Sequence, residues 1–231
     1  MRSLFLSVVA AAAFTAPVLA QTPPATQPQT PPAAPGAAQP QRPPQAPLGP
    51  NEWAIDGNHS AASFSVKHNV VATVRGTLGR ITGKIEYDGV NVNSIKTDVA
   101  IDMNGINTQN ENRDKHLRSP DFFDVANHPT LTFKSKRVEP GAPGKFKLVG
   151  DLTIRGNTKE VVLDVEGPSK VMSTTTPRGT RVLTGATATT KISRKEFGVL
   201  WNNLIETLPV VGDEVSITID LELNRPAMPG K

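Results

Sequence analysis

The chain has no cysteine, one tyrosine and two tryptophans in 231 residues, and only 5% of it is aromatic. Without cysteine there is no disulfide, no thiol nucleophile, no cysteine-ligated metal and no anchor for a lipid at an export cleavage site. Catalytic patterns are missing too. There is no G-x-S-x-G elbow, no H-x-H or H-E-x-x-H spacing and no glycine-rich phosphate loop, which removes the motif-bearing classes of hydrolase, metallohydrolase and nucleotide enzyme. Asp121 and Asp124 are a close pair of carboxylates, but charged loops carry such pairs commonly. The formal charge is only +4, and setting aside Arg2 and Arg42 leaves +2 for the remainder. So balanced a chain lacks the basic stripe that nucleic acid demands.

Long hydrophobic runs are also scarce. The one candidate, Leu4 to Ala16, falls short of the roughly 18–20 residues needed to span a bilayer. It follows the positive start Met1-Arg2-Ser3 and precedes the small-residue stretch Val18-Leu19-Ala20. That order is a secretory signal, with cleavage expected after Ala20. Residues 21–50 hold eleven of the 21 prolines and no acidic residue. They cannot bury enough surface to order themselves and are expected to be an extended spacer, up to about 90 Å long.

Residues 51–231 are enough for one domain with a sizeable core. Their dominant period is two. Phe64, Val66 and His68 alternate with polar neighbours, as do Ile81, Ile85 and Tyr87, then Val99, Ile101 and Met103, then Leu131 and Phe133. The pattern continues through Phe146, Leu148, Leu152 and Ile154, through Val161, Leu163 and Val165, and through Val215, Ile217, Ile219, Leu221 and Leu223. The stretch RVLTGATATTKIS is β-prone without a clear apolar face. About eight strands with one apolar face each, joined by turns such as YDG, RGNTK and EPGAPG, predict an all-β, antiparallel up-and-down barrel. Such a barrel is just wide enough to be filled or to hold one slender ligand. The glycines of GTLGRITG fall inside strand patterns and mark bends or close approaches.

Two segments break the period: residues 105–127 and residues 195–213. Both carry helix formers, in NENRDKHLRS and LWNNLIETL, and are expected to cap the barrel mouth with one or two short helices. They also concentrate aromatics: Phe122, Phe123, Phe197 and Trp201. Paired phenylalanines in a charged loop make sense if the loop folds over an apolar opening and turns its charges outward. Whether they plug or line that opening is left undecided by residue type alone. The four histidines, His59, His68, His116 and His128, are far apart in sequence, more like loop histidines than a metal site.

The patterns WAIDGNHSAASFSVKH, NTQNENRDKHLRSPDFFDVANHPTLTF, GDLTIRGNTKEVVLDV and ISRKEFGV together resemble the YceI-like family of exported bacterial proteins. The resemblance spans residues 51 to about 224. Its most specific part holds His116, Leu117, Ser119, Asp121, Phe122, Phe123, Asp124 and Pro129. It implies a lipocalin-like barrel with an elongated apolar cavity, a periplasmic location, an isoprenoid quinone or polyprenyl lipid as ligand, and a homodimer. The family supplies no catalytic residue to carry over, so a binding protein rather than an enzyme is expected, with no cofactor beyond the lipid itself. The spacer at residues 21–50 departs from the simplest family pattern. On this reading Phe64, Val66, Val99, Ile101, Phe133, Phe146, Ile217 and Ile219 line the tube. Leu117, Phe122, Phe123, Phe197 and Trp201 complete it at the mouth, with Arg113, Lys115, His116 and Arg118 near the lipid head. A histidine-based metal or redox enzyme, and an interaction module working through the Pro-rich arm, are the competing classes.

Overall fold

The computed structural model describes residues 47–177, 179–202, 204–205 and 208–227. The signal at residues 1–20 and residues 21–46 of the Pro-rich spacer lie outside these. The described residues form one compact unit.

Eight strands close a ring. They are β1 (Glu52–Ile55), β4 (Ile81–Glu86), β5 (Lys96–Asp102), β6 (Thr130–Pro140), β7 (Lys145–Ile154), β8 (Asn157–Glu166), β10 (Gly179–Ser193) and β13 (Val211–Pro226). Neighbours pair in that order, and β13 returns to β1, all antiparallel. The seam between β10 and β13 is the longest, running from Arg181↔Pro226 to Ser193↔Glu214. β1 covers only Leu223 and Asn224 of β13. Further along, β2 (Ala61–His68) takes its place against Val211–Asp220, with β3 (Ala72–Thr77) paired outside it. The short β9 (Met172–Thr176) shares an edge of β10 with β8. Closure removes the free edges that an open sheet would present.

The period-two pattern puts the expected side chains inside. Ile81, Ile85, Ile101, Leu131, Phe133, Phe146, Leu148, Leu152, Leu163, Val165 and Ile217 are all buried. On the ambiguous β10 the inner face is small: Ala186, Ala188 and Thr190 border the interior. The outer faces carry cross-strand ion pairs, such as Lys147–Asp164 and Lys145–Glu166 at 2.6 Å and Lys191–Glu214 at 2.9 Å. Exposed pairs of this kind tune register and solubility more than stability. The glycines of GTLGRITG do serve bends and close approach. A side chain on Gly76 would meet the Phe64 ring at 2.7 Å, and Gly83 has φ +125.

The first irregular segment holds the expected helix, α1 (Glu111–Arg118). Asn110 Oδ1 accepts the Arg113 N–H at 3.0 Å and caps it. The second segment corrects the sequence reading. The described residues of LWNNLIETL are not helical: a 3-10 turn over Arg194–Phe197 is followed by the paired strands β11 (Leu204–Ile205) and β12 (Leu208–Pro209). The Asn202 side chain donates to the Val211 carbonyl and accepts its N–H, at 2.9 and 3.0 Å. An asparagine thus pairs with main chain as a strand residue would, and Pro209 bars helix continuation.

Candidate functional site

The barrel encloses two apolar voids. The larger holds about 110 Å³, and its exposed lining is entirely apolar. Val99, Ile101, Phe133, Phe146, Ile217 and Ile219 form part of its wall. The second holds about 80 Å³ and is walled by Phe64, Val66, Leu117, Phe122, Phe123 and Phe197 among others. Leu78, Leu131 and Ile217 belong to both walls, so the two lie end to end along the barrel. The alanines on β10 are one reason for the hollow: they face large side chains and leave unfilled the depth a leucine would occupy. The alternation did not reveal them, because small residues carry little hydrophobic signal.

The larger void runs toward a cluster of Trp53, Ile85, Tyr87 and Leu223. Trp53 is 1% exposed and donates its indole N–H to the Tyr87 carbonyl at 2.8 Å. The Arg225 guanidinium lies 4.4 Å from the Trp53 ring centroid. Burial pushes the Tyr87 phenol above its ordinary value, with a smaller push from Asp88.

The second void ends under α1. Here buried cations tie three loops together. Arg194 is almost fully buried and donates to the carbonyls of Gly212, Val199, Trp201 and Val211 at 2.9, 2.7, 2.8 and 3.3 Å. Burial pulls this guanidinium below its ordinary value, while Asp213 opposes the shift. Arg155 donates to the carbonyls of Phe122 and Gly198 at 2.9 and 3.2 Å, and Asn157 to that of Phe197 at 3.0 Å. Sequence reasoning missed Arg155, Asn157 and Arg194; the visible signal was an arginine in each of two short motifs, LTIRGNTK and ISRKEFGV.

Three of the four expected head-group residues are otherwise engaged. Arg113 donates to the Thr108 hydroxyl and carbonyl at 2.7 and 2.8 Å. Arg118 donates to the Ile106 carbonyl at 3.1 Å. Asp114 is buried and accepts from the Thr108 N–H and hydroxyl. Lys115 is exposed. His116 pairs with Asp121 at 2.8 Å and meets the rings of Phe122 and Trp201 edge-on at 5.0 and 4.9 Å. Trp201 belongs to this ring cluster and not to either void's wall.

The histidines have different surroundings. His59 is exposed beside Asp56 and Glu222, at 3.4 and 3.8 Å. His68 ends β2, and His128 packs near Gly156. The Asp56–His59–Glu222 group lies on the outside, away from both voids. The Asn58 N–H, with lesser help from His59, holds the Asp56 carboxyl below its ordinary value.

A family model described as the YceI-like domain matches residues 53–223. The chain belongs to the YceI-like family. A UPF0312 protein of Staphylococcus aureus is 35% identical over 175 residues, covering 74% of this chain and 96% of that protein. The YCEI protein of Campylobacter jejuni, solved by crystallography, is 29% identical with TM-score 0.58, over 70% of this YceI-like chain and 90% of the other. A polyisoprenoid binding domain from Saccharophagus degradans, implicated in plant cell wall breakdown, shares the fold at 15% identity and TM-score 0.53, over 75% and 98% of the two chains. Among the described residues, no helix is long and apolar enough to cross a membrane.

Proposed function

We propose that this YceI-like protein is a periplasmic binding protein that shelters a long isoprenoid lipid, a polyprenyl lipid or an isoprenoid quinone, inside its barrel. The observation that carries this reading is an interior void of about 110 Å³ whose exposed lining is entirely apolar. Ligand sites hold about 300–1000 Å³, so the wall has to spread to take a lipid chain. The Saccharophagus domain of the same fold supports an isoprenoid as the occupant. The driving force is burial. At about 25 cal/mol per Å² of apolar surface, a fully enclosed tail of some forty carbons gains on the order of 10 kcal/mol or more before binding costs. No catalytic group is required for that. The signal read at residues 1–20 supports export, and residues 21–50 then serve as a spacer ahead of the barrel.

Native mass spectrometry of the protein purified from its own host tests this directly. A bound isoprenoid, or one acquired from an isoprenoid extract, is expected. A barrel that arrives empty and takes up nothing would overturn the reading. Elemental analysis of the same sample checks the competing class, since a stoichiometric transition metal would favour a histidine enzyme.

A further inference from the structure

Among the described residues, six large apolar side chains stand exposed. Three are isolated: Val90 in the turn between β4 and β5, Val162 on β8 and Met172 at the start of β9. Lone apolar side chains on a surface are ordinary. The other three, Val70, Val71 and Leu200, are 53%, 85% and 65% exposed and gather at the α1 end. Val70 and Val71 form the tip of the β2–β3 hairpin. Beside them the Asn69 N–H donates to the Val210 carbonyl at 2.9 Å, and His68 pairs with Val211. Asn202, two residues after Leu200, bonds to the same Val211 main chain. The two apolar points therefore flank one segment, Val210–Val211. The second void lies behind it, since Val66, Val199 and Val211 belong to that wall.

The hairpin tip is costly to build. Asn69 and Val70 have φ of 49 and 63, left-handed backbone that suits Asn or Gly but crowds a β-branched side chain. The Asn69 Oδ1 is buried without a hydrogen-bond partner. A glycine at position 70 would relieve the strain and remove an exposed apolar group at once. Val71 is so exposed that it adds almost nothing to the barrel's own packing. Strain kept at an exposed apolar tip calls for contact with something outside the barrel. Charge narrows the choice. Between Asp56 and Glu86 the chain has no acidic residue, but it has Lys67, Arg75, Arg80 and Lys84. Lys84 pairs with Glu52, and Arg80 lies against Gly57. Lys67 and Arg75, the two on the hairpin, have no ion-pair partner among the described residues, and Asp213 and Glu214 of β13 are held by Arg194, Lys195 and Lys191. Glu111 and Glu196 are exposed acids of the cap, but neither is on the hairpin.

We propose that the α1 end of the barrel docks on the surface of a bilayer that contains anionic lipid. Val70, Val71 and Leu200 enter the boundary of the acyl chains, and Lys67 and Arg75 stay with the phosphates. Trp201, next to Leu200, is an aromatic of the type that gathers at that depth. Three apolar side chains are few for a stable protein partner, whose footprint takes about 800 Å² a side, but they suit shallow, reversible seating in a membrane. Docking sets the end that is closed by arginine side chains, rather than the Trp53 end, against the lipid. It goes beyond the lipid-binding reading and does not rest on it, since it is measured on vesicles that hold no isoprenoid.

Co-sedimentation with vesicles of phosphatidylethanolamine and phosphatidylglycerol tests this. The wild-type protein is expected to sediment with them, and less so in high salt or when phosphatidylcholine replaces the phosphatidylglycerol. Val71→Asp and Leu200→Asp should each weaken binding about tenfold, the scale of one apolar side chain withdrawn from the interface, with the thermal midpoint unchanged. Val70→Gly should weaken binding while raising the midpoint, a pairing that damage to the fold would not give. Val90→Asp is the control: Val90 is 88% exposed but lies at the Trp53 end, beside Gly89 and Arg225, and should bind as the wild type does. Wild-type protein that stays in the supernatant, or Val71→Asp and Leu200→Asp that sediment as it does, would overturn the docking and leave the lipid-binding reading standing. A dimer in sedimentation velocity that Val71→Asp dissolves would overturn it too, since the tip would then meet a second copy of the chain.

Discussion

The two ends of the interior are closed by different physics. At the Trp53 end, an indole 1% exposed packs with Tyr87, Ile85 and Leu223, under a guanidinium 4.4 Å from its ring centroid. At the α1 end, Phe122 and Phe197 are buried too, but the loops that carry them are joined through arginine and asparagine side chains on main-chain carbonyls. One closure is hydrophobic core. The other is a latch: a few directional bonds that can be broken together while the wall stays intact. A barrel that must admit a long chain needs one end of the second kind, because core packing opens only by unfolding.

The comparison can be broken experimentally. Trp53→Ala should cost most, about 4 kcal/mol, since it empties a fully buried site; urea unfolding reads this directly. If the loss is under about 1 kcal/mol, the Trp53 end is not core. Arg194→Met removes the donor for four carbonyls and should cost about 3 kcal/mol, while speeding release of bound lipid well beyond Trp53→Ala. Equal release rates in the two variants would abolish the distinction between the ends. Arg155→Met, which frees only the carbonyls of Phe122 and Gly198, should cost about 1–2 kcal/mol with the same sign on release.

Ala188→Leu sharpens the contrast differently. It fills part of the larger void, so lipid uptake should fall at least tenfold while the unfolding midpoint changes little. Parallel losses of folding and uptake would mean the hollow is already full.

The smallest expected effect is that of acid. Asp56 and Glu160 have carboxyls held below their ordinary values, the first by the Asn58 N–H and the second by Lys136. A lowered carboxyl contributes stability that is present above the unfolded value and lost as pH falls through the folded one. The thermal midpoint should be flat from about pH 5 to 8 and decline below about pH 4, both groups being largely exposed. A decline setting in above pH 6 would mean that these two carboxylates do not set the acid limit.

The wall was legible in the sequence because each strand had to bury one face, and a period of two in Phe, Ile, Leu and Val has no other economical meaning. Phe133, Phe146, Ile101 and Ile217 follow from that alone. The cap was only half legible. α1 was legible in the helix formers of NENRDKHLRS, but LWNNLIETL showed helical spacing where the chain pairs as β11 and β12, because the Asn202 side chain bonds to the Val211 main chain.

By itself, then, the sequence determined a one-domain barrel with a carbon-lined inside, since burial is a property of residue type and order. Only the tertiary structure decided that the inside is partly hollow and that arginines tie the loops at one end. Those outcomes depend on which side chains meet across the barrel, and that distance is set by closure of the whole ring.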